Sequence, residues 1–160
     1  MCSNKSVLFC FGVGGHNAQA NRLASLLLND LSEFDFISIS DLENKPKWSD
    51  RHYVCGEFRE KDSHFQILKN LGPIKILKEI VRIKKENDVK CIISTGPGVS
   101  ILTALYFKLY GVKVIHIETW SRFKTKSLTG KFMYYLSDRF YIQNESLKDI
   151  YPNAIYSGLL

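Results

Sequence analysis

The chain has 160 residues, of which 45% are hydrophobic and 24% charged, a balance that excludes a disordered protein and allows one domain with its own core. Its formal net charge of +6 suits a nucleic acid, an anionic membrane surface or a phosphorylated ligand, and it does not choose among them. No apolar run reaches the roughly 20 residues that span a bilayer, and the sequence after Met1 does not resemble a signal peptide. We therefore expect any membrane attachment to be peripheral.

The predicted elements alternate between strands and helices. A strand over residues 5–11 precedes a helix over 17–30 and a strand over 34–40, and a long connection over 41–71 follows, with a short strand expected near Tyr53 and Val54. The later elements are a helix (72–87), a strand (89–95), a helix (98–111), a strand (112–118), a helix (127–138), a strand (138–143), a short helix (145–151) and a short strand (154–160). This order predicts an α/β fold, a Rossmann-like parallel sheet with helices on both faces, in one domain over residues 1–160.

Helix 72–87 is predicted to be amphipathic. Its apolar side is expected to carry Ile74, Leu77, Ile80 and Val81, and its basic side Lys75, Lys78, Arg82 and Lys85.

The cysteines indicate no metal site. Cys2, Cys10, Cys55 and Cys91 include no C-x-x-C pair, so a zinc site is not expected. Cys10 and Cys91 fall inside strand-like runs and are expected to be reduced core thiols, which is typical of a reducing cytoplasm.

The segment GVGGHN, residues 12–17, lies between the first strand and the first helix. Glycines let a ligand approach the backbone, and a helix N-terminus favours an anion, so a phosphorylated ligand is expected there, beside His16. The dinucleotide fingerprint G-x-G-x-x-G is incomplete because its sixth position is Asn17, and Asp41 lies further along the chain than a ribose-binding acid usually does. An NAD site is therefore disfavoured, and a plain turn without a ligand stays open.

Two further loops follow predicted strands. Residues 94–98 read STGPG, and residues 118–127 read ETWSRFKTKS. In parallel sheets ligands bind beyond the carboxyl ends of the strands, so these loops and GVGGHN are expected to line one crevice. Glu118 is either a helix cap or a site residue, and Arg122 with its lysine neighbours is either a solvated face or a phosphate grip. The apolar helices at 100–110 and 132–136 are expected to be core, unless a bare face on one of them suits a lipid surface or a partner.

Taken together, GVGGHNAQ, STGPGVSI, HIETWSRFKTKSLTGKFMYYLSD and YPNAIYSGLL resemble the acceptor-side, membrane-associating subunits of bipartite glycosyltransferases. This family includes the membrane-anchoring subunit of the enzyme that adds the second N-acetylglucosamine to dolichol-linked oligosaccharide, and bacterial relatives in capsular and exopolysaccharide synthesis. The resemblance implies the N-terminal half of a GT-B glycosyltransferase. It also implies that a separate partner chain binds the nucleotide sugar, while this chain receives a polyprenyl-diphosphate-linked sugar.

The resemblance implies roles for particular residues. His16 and Glu118 become rival candidates for the base that activates the acceptor hydroxyl. The expected diphosphate-binding residues are Gly14, Gly15, Asn17, Gly96, Gly98 and Arg122. No metal and no cofactor are expected, and the absence of a D-x-D sequence argues against a metal-dependent GT-A transferase.

Two departures from the family pattern bear on these expectations. The eukaryotic subunit carries an N-terminal membrane helix, whereas this sequence begins directly at its first strand, which favours a bacterial protein attached peripherally to the cytoplasmic face of the membrane. The family usually has Thr after the histidine, where this chain has Asn17. An amide can still donate to phosphate.

Three rival functions come from other classes of protein. One is a non-catalytic scaffold that recruits a glycosyltransferase partner to the membrane. A nucleotide-dependent oxidoreductase is disfavoured by Asn17. A nucleic-acid binder is suggested only by charge, without a recognition motif, so no nucleic-acid partner is expected.

Overall fold

A computed structural model describes residues 5–55 and 72–160 of the protein. The strands are β1 (Lys5–Cys10), β2 (Asp35–Ser40), β3 (Arg51–Val54), β4 (Asp88–Ser94), β5 (Lys113–Ile117), β6 (Arg139–Ile142) and β7 (Ile155–Tyr156). The helices are α1 (Gly15–Leu27), α2 (Gly72–Glu86), α3 (Val99–Lys108) and α4 (Leu128–Leu136), with a short 3₁₀ helix at Glu145–Asp149. The described strands form one parallel sheet in the order β3-β2-β1-β4-β5-β6-β7.

The sheet has a core layer on each face. Alternate residues of β1 point to opposite sides, so that Leu8 packs in one layer and Phe9 in the other. The layer around Phe9 is covered by α1, and the layer around Leu8 is covered by α2, α3 and α4. The predicted Rossmann-like sheet with helices on both faces is confirmed.

The predicted boundaries agree with the structure to within a few residues. The strand expected near Tyr53 and Val54 is present as β3, whereas residues 56–71 of the predicted connection lie outside the described residues. Helix α1 begins at Gly15, two residues before its predicted start, because Gly14 is its N-cap. The extent of the domain over residues 1–160 stays a prediction.

Of the predicted apolar side of α2, only Ile80 is fully buried, and Val81 is partly buried. The residues that pack on the sheet are Ile76, Ile80 and Ile83, while Ile74 and Leu77 are 60% and 41% exposed. Both sets repeat at helical spacing, so the sequence contains two overlapping apolar stripes. The stripe that faces the sheet is fixed by how the helix docks, which periodicity alone does not specify.

His116 of β5 is a buried polar residue of the core. Its Nδ1 lies 3.0 Å from the Ser94 hydroxyl, and its ring stacks on Phe140 with 5.0 Å between centroids. Burial, and to a smaller extent the nearby charge of His16, together lower its pKa to about 3. The folded protein therefore holds this imidazole neutral.

We predict that stability falls as the pH drops from about 6.5, the usual histidine pKa in an unfolded chain, towards 3. In that window the unfolded chain binds a proton at His116 and the folded protein does not. The loss amounts to about 2 kcal/mol between pH 7 and pH 5. Urea unfolding at both values measures it, and His116→Gln should remove most of the difference. An equal pH dependence in the two proteins would contradict the assignment.

We also predict that two substitutions in α2 differ in cost. Ile80→Ala empties a fully buried site and should lower the free energy of unfolding by about 2–4 kcal/mol. Leu77→Ala removes a partly exposed side chain and should cost less than about 1 kcal/mol. Denaturant titration compares the pair, and similar losses would show that the buried face of α2 is misassigned.

Candidate functional site

The three predicted loops meet at one edge of the sheet. The order of the strands reverses between β1 and β4, and a crevice forms at such a switch point beyond the carboxyl ends of the strands. The loops after β1, β4 and β5 line this edge and contact one another.

His16 joins the first two loops. Its Nδ1 donates to the Thr95 carbonyl at 2.5 Å, and the Thr95 hydroxyl donates back to the His16 carbonyl at 2.9 Å. Because a carbonyl oxygen can only accept, the ring proton of neutral His16 is on Nδ1 and Nε2 keeps its lone pair. The half-buried ring is thereby held in the tautomer that a general base requires.

Gly96 makes room for this ring. A Cβ at this position would lie 2.6 Å from His16 Cε1, and the backbone φ of +121° is one that residues with side chains rarely adopt. Glycine is therefore required here to seat the histidine. A direct contact between Gly96 and a diphosphate stays a prediction.

The start of α1 is an open helix N-terminus. Gly14 is the N-cap at φ +70°, no side chain caps the helix, and no acidic residue lies in the first turn. The N–H groups of Gly15, His16 and Asn17 belong to that first turn, which has no intrahelical acceptors. The Asn17 side-chain oxygen accepts from Asn21 at 3.2 Å, so its NH₂ group is the part left for an anion.

Gly98 begins α3 across the crevice. It is the N-cap of that helix, and it too lacks a side-chain hydrogen bond at the cap. Its φ of −60° is ordinary for any residue.

Trp120 brings the third loop to the glycines. Its indole Nε1 is 3.6 Å from the place where a Cβ on Gly15 would stand, and the Arg22 guanidinium lies over its ring at 5.1 Å. Sequence reasoning did not single out Trp120. The signal in the sequence was an aromatic residue with an N–H donor, two positions after Glu118 and just beyond the end of β5.

Glu118 lies inside the fold, just beyond the end of β5. It is fully buried, and its carboxylate accepts from the Thr119 backbone N–H at 3.0 Å. The hydroxyls of Ser127 and Tyr151 donate to its other oxygen at 3.0 and 2.9 Å. A Cβ on Gly130 would collide with that oxygen. With its oxygens so engaged, Glu118 lacks the access to a ligand hydroxyl that a base needs, and the geometry favours the predicted structural role, in which it anchors the start of α4.

The Glu118 network extends to the residues around it. Ser127, which donates to Glu118, also accepts from the Gly130 N–H at 2.8 Å and so caps α4. Burial and the neighbouring carboxylate of Glu118 raise the pKa of Tyr151. The Tyr151 hydroxyl therefore keeps its proton and stays a donor to Glu118.

Arg122 is exposed and points along its own loop. Its guanidinium donates to the Thr125 hydroxyl at 3.0 Å. The Asn144 amide donates to the backbone carbonyls of Trp120 and Arg122 at 2.7 and 2.6 Å, which fixes the path of this loop. The contacts of Arg122 do not join it to either glycine loop, and its predicted grip on a diphosphate stays a prediction.

Asp41 borders the crevice on the β2 side. Its Oδ1 and Oδ2 are 3.6 and 4.0 Å from the place where a Cβ on Gly12 would stand, and Pro97 Cβ is 3.3 Å from the same place. Burial, together with the negative charge of this carboxylate, raises the pKa of the Cys55 thiol to about 12. Among residues 5–55 and 72–160, no group of His, Cys, Asp and Glu side chains could hold a metal ion.

Sequence comparison identifies relatives over much of the chain. The family model described as oligosaccharide biosynthesis protein Alg14 like matches residues 62–160. The Saccharomyces cerevisiae protein named UDP-N-acetylglucosamine transferase subunit ALG14 is 30% identical, over 96% of this chain and 76% of its own. The Candida glabrata protein of the same name is 28% identical, over 96% and 77%.

The mammalian relatives align over less of their length. The rat protein of that name is 34% identical over 73 residues, or 42% of this chain. The matched stretch spans about a third of the rat protein, 34% of its length. All these relatives are eukaryotic, and they lend no support to the expected bacterial role in capsule or exopolysaccharide synthesis.

Solved structures share the fold at low sequence identity. A UDP-N-acetylglucosamine 2-epimerase superposes with a TM-score of 0.66 at 13% identity, over 96% of this chain and 46% of the other. MurG of Acinetobacter baumannii gives 0.61 at 17%, over 87% and 41%. The likeness confirms the predicted architecture, a Rossmann-like unit equivalent to the N-terminal half of a GT-B protein.

The two lines of sequence comparison agree with each other. The family model covers more than half of the chain, and the yeast relative aligns with nearly all of it. The chain therefore belongs to the Alg14-like family of oligosaccharide biosynthesis proteins, whose named relatives are subunits of a UDP-N-acetylglucosamine transferase.

Proposed function

We propose that this chain is the acceptor-binding subunit of a two-chain glycosyltransferase. Its partner chain would bind a nucleotide sugar, with UDP-N-acetylglucosamine indicated by the names of the relatives. This chain would bind a sugar linked to a polyprenyl diphosphate. The observation that carries the proposal is His16, held at the switch point with Nδ1 bonded to Thr95 and Nε2 left as a proton acceptor.

The proposed reaction is a displacement at the anomeric carbon of the donor. A hydroxyl of the acceptor sugar attacks that carbon, the new glycosidic C–O bond forms, and the bond to the nucleoside diphosphate breaks. The hydroxyl proton passes to His16 Nε2. General base catalysis of this kind contributes about 10²–10⁴-fold to a rate.

The acceptor diphosphate would lie at the start of α1. Uncapped N–H groups and the positive end of the helix dipole favour phosphate oxygens there. The indole N–H of Trp120 beside Gly15 would add a donor. In this arrangement Glu118 is a positioning residue, because it fixes the strand end from which Trp120 projects.

A second candidate function is a scaffold that recruits the catalytic partner to a membrane. The observation in its favour is a bare apolar stripe on α4, in which Leu128, Phe132 and Tyr135 are 64%, 52% and 82% exposed. Lys131 on the same helix and Lys124 in the preceding loop are exposed. None of the described helices has the length and apolar content to cross a bilayer. A peripheral contact with anionic lipid is compatible with both functions.

We predict that His16→Ala slows transfer by the assembled two-chain complex by about 10²–10⁴-fold. The matched variant is His16→Asn, whose amide can still donate to the Thr95 carbonyl but cannot act as a base. If His16 is the base, both variants lose turnover at saturating acceptor. If His16 only holds the loops together, His16→Asn should recover most of the activity.

A complementary control separates the two rival bases. In Glu118→Gln, the new NH₂ group faces either the Ser127 and Tyr151 hydroxyls or the Thr119 N–H, all of which are donors to Glu118. Because two donors that face each other form no hydrogen bond, the substitution should lower the free energy of unfolding. Turnover at saturating acceptor should fall far less in Glu118→Gln than in His16→Ala. Loss of turnover in a folded Glu118→Gln variant, with normal kinetics in His16→Ala, would transfer the role of base to Glu118.

We also predict that the α4 stripe binds anionic vesicles. Phe132→Ser should weaken binding to vesicles that contain phosphatidylglycerol by about tenfold or more, because it removes the burial of one aromatic side chain. Added salt should weaken binding further, at about 1 kcal/mol for each lysine near the surface. Vesicle flotation measures both effects, with Leu26→Ser on α1, 65% exposed, as the matched control. Equal losses for the two variants would argue against this face.

A further inference from the structure

Asp41 is a carboxylate at the crevice that nothing in the proposed reaction uses. It follows β2, the neighbour of β1, and lies against Gly12. Gly12 in turn lies close to Pro97, whose preceding residue Gly96 seats the His16 ring. Asp41 and His16 are therefore parts of the same contiguous edge, with Asp41 on its β2 side.

One oxygen of Asp41 lacks a partner. Among residues 5–55 and 72–160, no donor lies within hydrogen-bond range of Oδ1, although that atom is shielded from solvent. The ion pairs formed within those residues do not include Asp41. Leaving a buried carboxylate oxygen unsatisfied is costly, and native proteins rarely do so without a reason. Asp41 as a whole is half-buried, so a ligand with hydroxyl or amide N–H donors would reach the carboxylate from its exposed side.

The polar groups of the edge differ from one side to the other. Towards α1 and β5 the edge offers donors, namely the first-turn N–H groups and the Trp120 indole N–H. Towards β2 it offers an acceptor, the Asp41 carboxylate, which repels phosphate. His16 lies between the two sides. A diphosphate and its sugar would therefore fit in one direction only.

We propose that Asp41 binds the acceptor sugar, accepting hydrogen bonds from its hydroxyl or acetamido N–H groups, and so orients it with the diphosphate at α1 and the reacting hydroxyl near His16. This inference rests on the proposed function. The same chemistry could recognise hydroxyls of the nucleotide sugar, so a test must distinguish these two sources.

The test compares three soluble probes by calorimetry. Citronellyl diphosphate bearing one N-acetylglucosamine and citronellyl diphosphate without a sugar are titrated into the full chain, and UDP-N-acetylglucosamine is titrated into the assembled two-chain complex, which includes the proposed donor site. Asp41→Asn should weaken binding of the sugar-bearing probe about tenfold relative to its effect on the sugar-free probe, and Asp41→Ala at least as much. Both variants also remove the repulsion between the Asp41 charge and the diphosphate. The sugar-free probe measures that effect alone, so it can be subtracted.

The matched control is Glu43→Gln, which removes the same charge from an exposed position on the same connection. It should affect both citronellyl probes equally. If the wild-type chain binds neither of these probes, the proposed function fails and the inference with it. If it binds both and Asp41→Asn behaves like Glu43→Gln, the inference alone is overturned. Selective loss of UDP-N-acetylglucosamine binding would likewise overturn it, by assigning Asp41 to the donor.

Discussion

Two reciprocal hydrogen bonds between His16 and Thr95 join two loops at the carboxyl edge of the sheet. They join the loops after β1 and β4, the two strands between which the strand order reverses. The other features of the edge depend on this junction. Gly96 leaves space for the ring, and Gly12 lets Pro97 come close. Asp41 and Trp120 then flank the histidine from β2 and β5.

Much of this arrangement follows from local sequence patterns combined with one topological rule. Buried strands are recognisable as short apolar runs, and alternation with helices predicts a parallel sheet. The rule that ligands bind beyond strand carboxyl ends then selects the loops that carry His16, Gly96 and Trp120. The sequence could therefore predict which loops converge, because convergence depends on topology rather than on side-chain detail.

The remainder depends on contacts between distant residues. Glu118 is buried because Tyr151, 33 positions later, and Ser127 supply hydroxyl donors to it. A carboxylate just past a strand is typical of a site residue and of a cap alike, so local pattern could not separate these roles. The sequence alone likewise could not show which face of α2 packs on the sheet, because two apolar stripes overlap on that helix. Packing in the folded protein buries the stripe around Ile80. The sequence shows that residue 41 is an aspartate, but it does not show that its carboxylate lies against Gly12.

The way His16 is bonded has a consequence for motion at the edge. The ring donates from Nδ1 to the Thr95 carbonyl in its neutral form, and an imidazolium protonated at Nε2 donates from the same atom to the same oxygen. Proton arrival or departure therefore breaks no contact between the two loops. Many histidine switches work because protonation forces a rearrangement. Here the charge of the ring can change while both hydrogen bonds between the loops stay in place.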